Sequence, residues 1–119
     1  TLAQAREGSV CIYTAIGKKK SEVLDIQKYL KDQGVLDKTI IVATSAMDSP
    51  GEIYVCPYTA MTMAEYFRDQ GLDALVVMDD LSTHAKYYRE IALVSKKFPG
   101  RNSYPGDIFI FIRLYPSAK

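Results

Sequence analysis

DALVVMDDLS, residues 73–82, holds four apolar residues (Leu75, Val76, Val77, Met78) that run straight into two carboxylates, Asp79 and Asp80. A short apolar run without alternation reads as a strand covered on both faces, the form found in parallel sheets. Its acidic end falls where such sheets bind ligands, beyond the carboxyl ends of the strands. Burying acid at a strand end is costly unless the acid is used. The stretch therefore raises a question of fold and of chemistry together.

The flanking sequence answers the first part. Residues 9–16 (SVCIYTAI) are rich in β-branched and aromatic residues and read as a strand ended by Gly17. Val23, Leu24, Ile26, Gln27 and Leu30 follow at nearly helical spacing, and Gly34 stops that helix. Residues 38–43 (KTIIVA) form a second strand, and 45–51, with Asp48, Ser49, Pro50 and Gly51, a turn. Residues 59–70 read as a helix with Ala60, Met63, Ala64 and Phe67 on its apolar face and Gly71 after it. The strand at 73–78 comes next. Ser82 is the expected N-cap of a helix over 83–97, lined by Ala85, Tyr88, Ile91, Ala92 and Val94. A last strand is expected at 108–114. Strands alternating with amphipathic helices imply an α/β fold, a three-layer sandwich around a mainly parallel sheet.

Composition sets the outer bounds. The 119 residues are 48% hydrophobic and 24% charged, with a formal net charge of +1. This fits one globular unit with its own core, not a disordered chain. Near-neutral charge gives no reason to expect nucleic acid as partner. No apolar run approaches the roughly 20 residues that span a bilayer, so no direct membrane insertion is expected. Cys11 and Cys56, without close spacing, read as free thiols of a reducing compartment, Cys56 in a loop-like stretch before Pro57. The chain opens on Thr1 without Met or a signal-peptide pattern, as a fragment or a processed piece would.

The acids have two readings. An apolar strand ending in Asp has the form of a Walker B element, whose carboxylate holds Mg²⁺ through water beside nucleotide phosphates. The plainer reading is a carboxylate satisfying the backbone N–H groups of the next helix. The glycine-rich loop that cradles phosphate, G-x-x-x-x-G-K-[ST], is absent from the sequence. GKKKS at 17–21 contains Gly-Lys but lacks the upstream glycine and the adjoining Ser or Thr.

VCIYTAIG (10–17), EYFRDQG (65–71), ALVVMDDLS (74–82) and PGRNSYPGDIF (99–109) occur in this order. Together they resemble the nucleotide-binding domain of the alpha subunit of F-type ATP synthases, over most of the chain. The resemblance implies a RecA-like P-loop NTPase core, present here as the Walker B half without its phosphate loop. It makes residues 1–119 a single partial domain, with 110–119 (FIRLYPSAK and the preceding Ile) departing from the family pattern. It implies Asp79 as the Walker B carboxylate facing Mg²⁺, Asp80 as the second acid of alpha subunits, and Lys18 at the position where catalytic beta subunits carry a glutamate. Alpha subunits usually have Gln there, and Lys cannot serve as that base, so no catalytic residue is assigned. The expected cofactors are Mg²⁺ and ATP or ADP, bound when a phosphate loop is supplied. The implied role is non-catalytic, structural and regulatory, with beta and gamma subunits as partners, at the periphery of an energy-coupling membrane, on its cytoplasmic or organelle-interior side. Arg68, Arg101 and Tyr104 are candidates for subunit interfaces. The alternative is a stand-alone α/β binding domain that has lost ATPase function.

The remaining polar residues have bland readings. Lys18–Lys20 could contact phosphate but read first as a solvated helical turn; cations there oppose the helix dipole, which keeps Lys18 a nucleotide-binding candidate beside Asp79 and Asp80. His84, the one histidine, has no Ser, Asp or Cys at a recognisable spacing and reads as a helix surface residue. Arg68 is expected either at an interface or on phosphate, or else paired with Glu65 or Asp69. The nine tyrosines read as core and interface packing.

Overall fold

The structure, a computed structural model, describes residues 8–95. Strands β1 (Ser9–Lys18), β2 (Thr39–Ser45) and β3 (Asp73–Asp79) form one parallel sheet in the order β2-β1-β3. Helix α1 (Lys20–Asp32) and a short 3-10 turn (Leu36–Lys38) join β1 to β2. Helix α2 (Pro50–Asp69) joins β2 to β3, and α3 (Leu81–Val94) follows β3. The strand expected at 108–114, and residues 110–119 as a whole, lie outside the described residues.

The apolar run of β1 explains its central place. Cys11, Ile12, Thr14, Ala15 and Ile16 are all buried, so residues of both parities along the strand are covered. β2 and β3 lie on opposite sides of β1. Right-handed crossovers therefore put α1 on one face of the sheet and α2 on the other.

The core sits between β1 and α2. Ile12 packs with Ala60 and Ala64, and Ile40, Val42, Met63, Phe67, Ala74 and Val76 close around them. Nearer the carboxyl ends of the strands, Ile16 packs with Ile53 and Cys56, joined by Val42, Met78 and Tyr87. Both cysteines are free and buried, Cys56 inside α2 and not in a loop.

Helix α2 is longer than its sequence suggests. The stretch read as a turn is its cap: Ser49 Oγ accepts from the Glu52 N–H, Glu52 Oε2 accepts from the Ser49 N–H at 2.9 Å, and Pro50 opens the helix. Pro57 stands inside the helix and is fully buried. An internal Pro removes one helical hydrogen bond and costs about 3 kcal/mol. Burial of Ile53, Cys56, Pro57, Ala60 and Ala64 along one stripe outweighs it.

Two further expectations are corrected. Helix α3 starts at Leu81 with Asp80, not Ser82, as its N-cap, because the Asp80 carboxylate accepts from the Thr83 N–H at 2.6 Å. His84 is not on the surface. It is 5% exposed, its Nε2–H donates to the Tyr54 carbonyl at 3.1 Å, and its ring stacks on Tyr54. Burial holds its pKa below the ordinary value. His84, Tyr88 and Ala92 are the buried stripe of α3, while Val94, read as part of that stripe, is 85% exposed.

Candidate functional site

The carboxyl ends of β1 and β3 bring together Lys18, Asp79 and Asp80. Lys18 Nζ lies 2.8 Å from Asp79 Oδ1 and 3.6 Å from Asp80 Oδ2. Lys18 thus belongs to the end of β1 and not to a solvated helical turn. α1 leaves β1 on one face, while α3, which follows β3, packs against α2 on the other. A crevice opens at such a divide, and ligands of open α/β sheets bind there.

A break in the strand register explains how Lys18 reaches Asp79. Ala15 pairs with Ala43, but Lys18 pairs with Ser45. Three steps along β1 thus match two along β2, the signature of a β-bulge. Gly17 lies inside it with φ +62°, a conformation natural to glycine. Its N–H donates to Thr44 Oγ1 at 3.1 Å. Regular alternation would send Lys18 to the face of Ile16, against Ile53 and Cys56. The extra residue turns it to the face of Tyr13, Ala15 and Asp79 instead. A Cβ on Gly17 would stand 3.0 Å from Tyr87 Cε2 and 3.2 Å from Thr83 Cγ2, so the bulge is also a tight contact with α3.

All four carboxylate oxygens are engaged. Asp79 Oδ1 faces Lys18, and Asp79 Oδ2 accepts a short hydrogen bond from the Tyr13 hydroxyl. Asp80 Oδ1 caps α3, and Asp80 Oδ2 faces Lys18. Burial and then the bond to Asp79 push the Tyr13 phenol well above its ordinary pKa, so it stays a proton donor. The hydrogen bond to Asp79 raises Lys18, which stays an ammonium ion. The Thr83 N–H, with Lys18 adding to it, holds Asp80 below the usual carboxylate range. The peptide bond between Asp79 and Asp80 is cis.

Of the two readings of the acids, capping describes Asp80, whereas Asp79 faces the mouth. Sequence reasoning missed Tyr13. Strand alternation places it on the same face as Ala15, but its meeting with Asp79 depends on the β1–β3 register, in which Ala15 pairs with Asp79.

A hard cation takes oxygen ligands, and two carboxylates are the right type. Yet each oxygen already has a positively polarised partner, and an ammonium ion occupies the mouth. The residues as they stand do not fit a divalent cation at Asp79. Among the described residues no group of three or more His, Cys, Asp or Glu gathers to hold a metal.

The candidate interface residues do not join this site. Arg68 lies at the far end of α2, where its guanidinium pairs with Asp69 at 2.9 Å, with both side chains largely exposed. An exposed pair of this kind adds little stability. Arg101 and Tyr104 lie outside the described residues. No described helix is long and apolar enough to cross a membrane.

Residues 1–115 match the profile of the ATP synthase alpha/beta family, nucleotide-binding domain. The chain is 49% identical over 106 residues to an ATP synthase subunit alpha of Alteromonas mediterranea, covering 89% of the chain and 21% of that protein. It is 49% identical over 108 residues to ATP synthase subunit alpha 2 of Nitrosospira multiformis, covering 91% and 21%. An ATP synthase subunit alpha of Carsonella ruddii is 48% identical over 106 residues, covering 89% and 22%. The chain therefore spans about a fifth of the length of the curated relatives it matches. The three-stranded parallel sheet with helices on both faces is consistent with that domain. On the match of residues 1–115 and an identity near one half, the chain belongs to the ATP synthase alpha/beta family.

Proposed function

We propose that this chain is the Asp79-bearing part of a nucleotide-binding domain in an alpha-type subunit of a proton-driven ATP synthase, where it binds ATP or ADP without hydrolysing it. Its role is structural and regulatory. One observation carries the non-catalytic half of this reading. Hydrolysis requires a group that takes a proton from, or orients, the attacking water. At the mouth between β1 and β3 stands Lys18, an ammonium ion held 2.8 Å from Asp79. It has no lone pair to offer. Lys18 is instead suited to a phosphate group, as a point charge with three donors.

The relatives' names support the wider setting: they are subunits, so assembly with beta and gamma subunits at the periphery of an energy-coupling membrane is the partnership we infer. Arg68, Arg101 and Tyr104 are our candidates for those contacts. The stand-alone alternative has no observation of its own in its favour.

The test is made on the intact polypeptide that carries this chain. It is incubated with radiolabelled ATP, separated from free nucleotide, and the bound label identified. Retention of label as ATP is expected. Bound label converted to ADP within a few turnovers' time of an ordinary ATPase would overturn the non-catalytic reading. No retained label in any form would overturn nucleotide binding itself.

A further inference from the structure

The position of Lys18 decides more than the absence of a base. A divalent cation reaches a strand-end carboxylate either directly or through a bound water that donates to a carboxylate oxygen. In the second case the water stands at hydrogen-bond distance from that oxygen. Lys18 Nζ stands there already, 2.8 Å from Asp79 Oδ1. Tyr13 takes the other oxygen of the same carboxylate. A cation approaching Asp80 meets the same ammonium 3.6 Å from Oδ2, while Oδ1 is tied to the start of α3.

Lys18 is also placed to stay. It is carried by the bulge at Gly17, whose N–H is fixed on Thr44, and its backbone carbonyl accepts from the Ala46 N–H at 3.1 Å. Its side chain is 21% exposed, less than either acid it faces. Its charge is the same sign as that of a metal ion. Two cations beside one carboxylate repel, and at partial burial that repulsion is screened far less than in open water.

We propose that Lys18 is a built-in counter-cation that keeps divalent metal off Asp79, so that the mouth takes nucleoside phosphates with little dependence on Mg²⁺. The second half rests on the nucleotide reading above, and the first half does not. A tethered ammonium supplies one positive charge and up to three donors. A divalent ion supplies twice the charge but must be recruited from solution. The site thereby exchanges strength for independence from metal concentration.

Mn²⁺ alone is the first probe, titrated into the intact polypeptide and followed by the loss of its free-ion electron paramagnetic resonance signal. Lys18→Gln, which removes the charge and keeps a polar side chain, is expected to bind Mn²⁺ about tenfold more tightly than the unaltered protein, the size set by removing one nearby like charge. Lys18→Arg, which keeps the charge, is expected to bind no more tightly than the unaltered protein. Adding Asp79→Asn to Lys18→Gln is expected to abolish the gain. Equal Mn²⁺ binding by Lys18→Gln and the unaltered protein would overturn the proposal, as would a gain that survives Asp79→Asn.

The second probe is ATP, measured in Mg²⁺ and in excess EDTA. The unaltered protein is expected to hold its affinity within about threefold, and Lys18→Gln to lose about tenfold in EDTA. A tenfold loss in the unaltered protein would overturn the metal-independent half. If ATP binds to neither protein in either buffer, the nucleotide reading fails, and the Mn²⁺ titration still decides whether Lys18 guards Asp79.

Discussion

Helices α1 and α2 begin alike and are used differently. Each follows a strand, and each has a Glu three residues past its cap that accepts the cap residue's N–H, Glu22 for α1 and Glu52 for α2. Each carries an apolar stripe in its sequence. Yet α1 buries only Leu30 of Val23, Leu24, Ile26 and Leu30, and Leu24 is 54% exposed. Helix α2 buries five residues and supplies the buried partners of Ile12 and Ile16, namely Ala60, Ala64, Ile53 and Cys56. An apolar period establishes that a helix forms. How much of the stripe is buried depends on what lies opposite, and among the described residues only the α2 face is filled.

The comparison breaks first, if it breaks, at Ile53. Ile53 is fully buried against Ile16 and Cys56, so Ile53→Ala is expected to cost about 2–5 kcal/mol, read as a lower urea midpoint. A loss near zero would show that the α2 face is no tighter than the α1 face. Gly17→Ala comes next. It forces a side chain into a positive-φ position against Tyr87 and Thr83, and about 1–3 kcal/mol is expected from the strained backbone. Loss of the Lys18–Asp79 pair should accompany it, visible as a fall in the Lys18 pKa by nuclear magnetic resonance. Ser49→Ala, which removes the cap of α2, is expected to cost about 1 kcal/mol.

His84 sharpens the contrast through pH, since it lies in the α2–α3 seam and α1 has no histidine. Burial lowers its folded pKa from 6.5, so as pH falls the unfolded chain takes up the proton first. Its contribution is present in full above the ordinary value and is lost as pH drops from there towards the folded value. Unfolding midpoints at pH 7.5 and 5.5 are expected to differ less in His84→Gln, whose amide can still donate to the Tyr54 carbonyl. Smallest of all, Leu24→Ala on α1 is expected to stay within about 0.5 kcal/mol. A loss like that of Ile53→Ala would mean that α1 is covered after all.

Much of the architecture could be read from residue order. The three strands, the intervening helices and the apolar face of Ala60, Met63, Ala64 and Phe67 are where the sequence places them. The early start of α2 was hidden because Ser-Pro-Gly-Glu carries turn and cap signals at once, and only the Ser49–Glu52 exchange separates them. The helix through Cys56 and Pro57 was hidden because burial overrides a local breaker. His84 was misplaced for a related reason: a polar residue on a helix reads as solvated until Tyr54 from another helix meets it. At the mouth, Asp79, Asp80 and Lys18 were all marked by their chemistry. What the sequence did not disclose is that they touch, since Lys18 and Asp79 are 61 positions apart in number (79 minus 18) and meet through register alone.

That register has a consequence for how the site could change. Along a strand, a side chain's direction follows from counting, odd to one side and even to the other. Lys18 is even by number and odd by address, because the bulge at Gly17 shifts the count by one. A strand that ran through position 17 without the bulge, with no residue removed, would restore the count, aim the ammonium at Ile16, Ile53 and Cys56, and leave Asp79 with only the Tyr13 hydroxyl. The charge of the whole mouth is thus a matter of arithmetic in the chain, alterable by one codon without changing any of the residues that carry it.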